Sequence, residues 1–264
     1  MGRGTVAGAY EWRGSRKHSK FGGKKPYVYD PTNPQLSGNM ILAALPQEER
    51  NHLQQYLGFV LVKSGEVFWQ PNQPITSVYF PTSGMVSLVA VMRNGATAEV
   101  GVAGREGFVG IPIILGATRA SVRAVAQTEG SGFRMESELF RQMLPRMPQL
   151  ERMLRHYAHG QAMQLAQVAA CNCLHQVPER LARWLTMSCD RTGSEVLLLT
   201  QEFLAEMLGC RRSSITSATS RLQQAGVIRS ERGRIRILDR EQLEKQACEC
   251  YGVMRMLSNL TRAG

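Results

Sequence analysis

Between Val60 and Met135 the chain alternates short apolar runs with Gly, Pro and Asn. The runs are Ser77–Phe80, Met85–Met92, Ala98–Val102 and Ser121–Ala126. Runs of this length bounded by turn residues predict strands, and Arg93-Asn94-Gly95 predicts a hairpin turn between two of them. Several short strands at this spacing predict an antiparallel sandwich or barrel. Ahead of them, Leu45 to Leu57 carries a short helical pattern. From Glu138 the period lengthens to that of a helix, through Leu139, Phe140, Met143 and Leu144, and Pro145 and Pro148 interrupt it. A longer helical pattern then runs from Gln149 to Gln176, with Leu150, Met153, Leu154, Tyr157, Met163, Leu165 and Val168 as its apolar positions. A helix this long and apolar needs a partner surface. That surface is either the barrel or a second copy of the helix, and the second copy is the preferred reading. Pro178 restarts a helix with Glu179 in its first turn, and Arg191-Thr192-Gly193-Ser194 ends it.

Residues 200–225 have the spacing of a helix-turn-helix. Thr200 is a favourable N-cap and Glu202 places negative charge in the first turn. Phe203, Leu204, Met207 and Leu208 form an apolar stripe around the small Ala205. Gly209 can take the left-handed backbone that closes a helix. A second helix opens near Arg212, with Ile215, Ala218, Leu222 and Ala225 on its inner side. Its outer side carries Arg212, Ser213, Thr216, Ser217 and Ser220, all polar and none acidic, which suits close approach to base edges and phosphates. A polar-faced corner between two helices is the plainer alternative. Beyond it, Val227–Ile237 alternates Ile235 and Ile237 with Arg234 and Arg236 around Gly233. This predicts a hairpin with one apolar and one cationic face, either a wing touching phosphates or a solvated charged turn. The candidate DNA-binding residues are Thr200, Gln201, Arg211, Arg212, Ser213, Ser214, Thr216, Ser217, Arg221, Arg232 and Arg234.

Charge strengthens that reading. Lys and Arg outnumber Asp and Glu by 32 to 21 in 264 residues, a formal charge of +11, which favours a polyanionic partner or serves solubility alone. The apolar share of 43% is enough for two packed cores. Residues 1–38 are rich in Gly, Pro, Ser and basic side chains, and predict a disordered tail. No apolar region follows them, so they do not resemble an export signal. The most apolar stretch, around Val86–Met92, is far shorter than the ~20 residues a spanning helix needs. All six cysteines lie from Cys171 onward. Without an export signal, that distribution points to a reducing cytoplasm rather than a disulfide scaffold.

With these residues in hand, the chain resembles the Crp–Fnr superfamily of transcription regulators over about residues 40–245. The DNA-binding part of the resemblance rests on Leu199-Thr200-Gln201-Glu202 through Leu208-Gly209-Cys210-Arg211-Arg212 and on Leu222…Ala225-Gly226-Val227-Ile228. The sensor part rests on Gly65-Glu66, Tyr79-Phe80 with Gly84, Asn94-Gly95 and Gly107-Phe108-Val109-Gly110. The resemblance implies an α+β protein. It would have a cyclic-nucleotide-binding-type β-roll (jelly roll) over 39–145, a dimerisation helix over 146–177, and a winged helix-turn-helix with a C-terminal helix over 178–264. It further implies a homodimer on double-stranded DNA, acting with RNA polymerase and without a membrane.

The departures from the family pattern matter as much. Members that hold cyclic nucleotide use a Gly-Glu pair and an Arg-Ser or Arg-Thr pair. Here those positions read Gly110-Ile111, followed by Pro112, and Arg119-Ala120-Ser121. Cyclic AMP is therefore not the expected ligand, and the effector is left open. The iron–sulfur branch places its cysteines near the N-terminus, where this chain has none. In the DNA-reading helix Arg212 matches the family's first arginine, while Ser213 and Ser217 replace its Glu and second Arg.

Two cysteine motifs offer competing chemistry. Cys171-Asn172-Cys173-Leu174-His175, with His156 and His159 upstream, has donor types that suit zinc or a transition metal. Its spacing is not that of a closed site, and small buried cysteines at a helix end are the plainer reading. Cys248-Glu249-Cys250 reads as a separate pair, redox-active or inert. The expectation is no metal and no cofactor. No phosphate-cradling loop, nucleophile elbow or paired-carboxylate constellation appears, so an enzyme is not expected. The alternative function is a small-molecule, redox or metal sensor whose main output is not DNA binding.

Overall fold

A computed structural model describes residues 37–260. The predicted basic tail lies outside the described residues except for Ser37 and Gly38. The chain opens with α1 (Met40–Ala44) and α2 (Gln47–Gln54) and continues into a two-sheet roll. Its strands are β1 (Gly58–Val62), β2 (Val67–Trp69), β3 (Ser77–Ser83), β4 (Val86–Val91) and β5 (Thr97–Ala103). A single turn, α3 (Ile111–Ile114), then precedes β6 (Arg123–Ala126), β7 (Gly130–Glu136) and α4 (Ser137–Met143). One sheet has the order β1-β7-β3 and the other β2-β6-β4-β5, and every pairing is antiparallel.

Both sheets turn apolar side chains inward, and Phe80, Phe108, Phe133 and Phe140 meet between them. The Phe108 and Phe140 rings stack at 5.5 Å, so α4 seals the roll. Asn39 is fully buried. Its Oδ1 accepts from the Ile41 and Leu42 amides, capping α1, while its Nδ2 donates to Pro81 O and Gly107 O. The hairpin at Arg93-Asn94-Gly95 joins β4 to β5, with Gly95 at φ +83°. Sequence reading did not single out β1, β2 and β7. In β7 the apolar positions are only Phe133 and Met135, set among Gly, Ser, Arg and Glu.

After a 3-10 turn over Leu144–Arg146 comes α5 (Pro148–Leu174), a helix of 27 residues. The Glu49 carboxylate accepts from the Gln149 and Leu150 amides at 2.9 Å each, an anion on the positive end of the helix. Leu150, Met153, Leu154 and Tyr157 belong to the core of the roll. The partner of this first half is thus the roll, not a second copy of the helix. Only the second half offers free apolar surface, with Met163 and Leu165 about 40% exposed.

The C-terminal unit comprises α6 (Val177–Thr192), β8 (Val196–Leu197), α7 (Gln201–Leu208), α8 (Arg212–Gln224), β9 (Ile228–Glu231) and β10 (Arg234–Ile237). The small sheet has the order β8-β10-β9, so the hairpin gains a third strand from a segment that sequence reading left unassigned. The single C-terminal helix expected there is two, α9 (Arg240–Gln246) and α10 (Cys250–Leu260). Gln164 donates to Ser258 and Gln167 to Cys250, so α10 runs antiparallel along α5. Among the described residues no helix is long and apolar enough to cross a membrane.

Candidate nucleic-acid interface

The turn between α7 and α8 is built locally. Thr200 Oγ1 accepts from Phe203 N at 3.1 Å, capping α7. Gly209 closes the helix at φ +59°, a conformation a Cβ disfavours. Arg180 of α6, buried in the domain core, donates from Nη2 to Leu208 O. That bond satisfies a carbonyl the helix end leaves free. Sequence reading missed it, because an arginine in an amphipathic helix looks like a surface residue. Leu204, Ala205, Met207 and Leu208 pack against Ile215, Ala218 and Leu222. Ala225 was expected on the inner face of α8, but it is exposed at the helix C-cap, where the chain has already turned away.

The outward face of α8 presents Arg212, Ser213, Thr216, Ser217, Ser220 and Arg221, all exposed, with Ser214 half-buried and Arg211 exposed at the N-cap. Thr216 Oγ1 donates to Gln201 Oε1 at 2.7 Å and to Arg212 O at 3.1 Å, tying the start of α7 to the first turn of α8. Arg212 lies 3.7 Å from Glu202, both exposed, a screened pair of little strength that a phosphate or base can replace. Beside this face, Ile235 and Ile237 enter the core and Arg234 and Arg236 point out; Arg232 is exposed at the tip, where Gly233 has φ +69°. Gln201 is thus joined to the α8 face through Thr216, and the Ser230 amide of β9 donates to Gln223 Oε1 near the C-terminal end of α8 at 3.1 Å.

This domain is not free of the roll. Trp184 Nε1 donates to Glu99 Oε1 at 2.9 Å, and Ser87 Oγ donates to Glu99 Oε2 at 2.7 Å. Desolvation raises the Glu99 carboxyl above the usual range, against these two hydrogen bonds and the charges of Arg191 and Arg183. Arg191 forms a buried ion pair with Glu106 at 3.0 Å. Removing one partner would strand a charge, a loss typically of ~3–5 kcal/mol.

In the roll, Ile111 is the first residue of α3, at the position where the family resemblance implies a carboxylate in members that hold cyclic nucleotide. A Cβ on Gly110, at φ +153°, would meet Phe108 and Val78 side chains at 2.7 Å. Arg119, from the Arg119-Ala120-Ser121 stretch, donates from Nη1 to Asn72 O. Arg123 is engaged by Gln70 Oε1 at 2.8 Å.

The cysteines are arranged differently from their sequence motifs. Cys171, His175, Cys248 and Cys250 converge, while Cys173 is exposed and stands apart. Cys189 is buried with its thiol pushed up to about 11 by desolvation.

A sandwich roll, a long connecting helix and a helix-turn-helix with a basic wing define a DNA-binding transcription regulator with an attached sensor domain. The cyclic nucleotide-binding domain family matches residues 59–146, and the Crp-like helix-turn-helix domain family matches residues 179–246. The chain belongs to the Crp–Fnr family of transcription regulators. Among curated proteins none matches the sequence. Among solved structures, a Crp/Fnr-family regulator from Eubacterium rectale is 18% identical over 78% of this chain and 96% of its own, with a TM-score of 0.62. FixK2 from Bradyrhizobium japonicum is 16% identical over 73% of this chain and 98% of its own, with a TM-score of 0.63. The c-di-GMP-responsive global regulator CLP of Xanthomonas campestris is 16% identical over 74% and 100%, with a TM-score of 0.62. At these identities the likeness is one of fold.

Proposed function

We propose that the protein is a homodimeric, sequence-specific regulator that reads DNA with α8 and grips phosphates with the β9–β10 wing. The observation that carries this reading is the exposed, acid-free outer face of α8, followed in the chain by a hairpin whose Arg232, Arg234 and Arg236 are exposed. Arg212, Ser213, Ser214, Thr216 and Ser217 would address base edges, with Arg221, Arg211, Gln201 and Thr200 at flanking phosphates. Arg232 and Arg234 would contact the backbone, which sets affinity rather than sequence. Supporting the dimer is the exposed stripe Ala162, Leu165, Ala166 and Ala169 on α5, whose small residues allow two helices to approach closely. A signal at the roll would act through Glu99–Trp184 and Glu106–Arg191, shifting the population of domain poses. RNA polymerase is the downstream partner in this reading.

Selection of bound fragments from a random DNA pool tests it. The expected product is a near-palindrome whose half-sites lie about one helical turn, roughly 34 Å, apart. Recovery of no enriched sequence would overturn the reading.

A further inference from the structure

We infer that Cys171, His175, Cys248 and Cys250 form a closed, four-coordinate zinc site that clamps the end of the long helix to the C-terminal helix. Their donor atoms, three sulfurs and one ring nitrogen, all lie within 4.8 Å of one another. Cys171 Sγ is 3.5 Å from Cys248 Sγ, and Cys250 Sγ is 3.5 Å from His175 Nδ1. A tetrahedral zinc ion with Zn–S near ~2.3 Å and Zn–N near ~2.0 Å has ligand–ligand edges of about 3.5–3.8 Å. These two donor pairs already stand at that spacing. Cys171 is in the last turn of α5, and His175 is its C-cap, whose amide bonds back to Cys171 O at 3.1 Å. Cys248 lies in the turn before α10, and Cys250 is its first residue. The antiparallel packing of α10 on α5 brings the two pairs together.

The surroundings fit a metal as well as the ligands do. His175 Nε2 lies 3.1 Å from the Glu249 carboxylate, leaving Nδ1 directed at the sulfurs. A carboxylate on the outer ring nitrogen is the usual device for orienting a metal-bound histidine. Gln167 Nε2 donates to Cys250 Sγ at 3.1 Å. Zinc with three thiolates and a neutral imidazole carries one net negative charge. Arg183, 4% exposed, lies within electrostatic reach of Cys171 and Cys248. Its Nη1 rests against Met187 and Met254 sulfurs and its Nε has no partner. Among the described residues Arg183 forms no ion pair, and its charge, which also acts on Glu99, would favour an anionic metal–thiolate centre. Val168, Met187 and Met254 wall the cluster in. Three thiolates and an imidazole in a closed setting select zinc over harder cations. On binding, the ion replaces the three thiol protons, which pass to solvent.

Its consequence rests on the DNA-binding reading above. His175 is the residue at which α5 ends and the link to α6 begins. The ion would tie that hinge to α10, which also packs on α6, and so hold the pose of the helix-turn-helix relative to the long helix.

The test uses the full-length reduced protein, purified without chelator. Elemental analysis should find about one zinc per chain. Zinc-stripped wild type titrated with Co2+ should develop thiolate-to-cobalt absorption and the visible bands of a tetrahedral ion, a readout independent of whether any variant folds. Cys171→Ser, Cys248→Ser, Cys250→Ser and His175→Ala should each lose most of the zinc, while Cys173→Ser keeps it. A wild type that takes up neither zinc nor cobalt, one that holds iron instead, or loss of zinc in Cys173→Ser would overturn the site. Removing zinc should weaken DNA binding about tenfold. Unchanged DNA affinity on removal would overturn the hinge role and leave the metal site standing. Absence of DNA binding with zinc bound would count against the DNA reading alone.

Discussion

The indole of Trp184 in α6 donates to the carboxylate of Glu99 in β5 at 2.9 Å, joining the DNA-binding domain to the sensor roll. The residue is only partly buried, yet its carboxyl is enclosed between the two domains. The bond therefore holds an ionisable group where water is largely excluded from it.

The Glu99 carboxyl titrates above its ordinary value in the folded protein because desolvation disfavours the anion. The folded state then binds more protons than the unfolded one between the two pKa values. Stability accordingly falls as pH rises from the usual carboxylate range through the folded pKa, and is constant above it. Glu99→Gln should flatten that part of the profile while keeping an oxygen to accept from Trp184. Thermal melts of both proteins across the acidic range test this. An identical pH slope in the two would mean that Glu99 does not carry it.

Arg212 and Arg234 should have different roles on DNA. Arg212→Ala should relax preference at one base pair per half-site, by about 1–3 kcal/mol. Arg234→Ala should weaken all sequences alike and lower the salt slope by about one unit for each phosphate the wing no longer grips. Sequence selection with each variant, together with affinity against salt, separates the two roles. If Arg212→Ala keeps the wild-type motif while Arg234→Ala changes it, the assignments are reversed.

Leu165→Glu combined with Ala169→Glu should give monomers, since both positions are exposed on the second half of α5. Val168→Glu is a different perturbation, because Val168 packs on the Cys171–Met254 cluster. Light scattering at micromolar concentration reads the result. A wild-type monomer, or a double variant of dimer mass, would refute the interface.

Cyclic AMP and cyclic GMP should not bind with physiological affinity. Ile111 supplies no carboxylate for the ribose, and Arg119 is held by the Asn72 carbonyl. Isothermal calorimetry is the measurement, and a dissociation constant in the low micromolar range would contradict the argument.

The family and the DNA-reading helices were legible in the residues alone because their signals are local. A cap at Thr200, a left-handed glycine at Gly209 and apolar residues at helical spacing all act within a few positions of one another. The hairpin at Asn94-Gly95 and the wing around Gly233 are local in the same sense. What lay beyond sequence reading depends on which surface covers which. Apolar residues from Leu150 to Tyr157 look alike whether a roll or a second helix buries them, and only the packed fold assigns them to the roll. Arg180 and Arg183 carry no local signal of burial, and only the packed fold encloses them. The cysteines make the same point over a longer distance. Cys171 and Cys248 are separated by 77 positions, and no spacing rule joins them. The antiparallel run of α10 along α5 brings them to 3.5 Å and leaves out Cys173, because two residues along a helix turn a side chain to a different face.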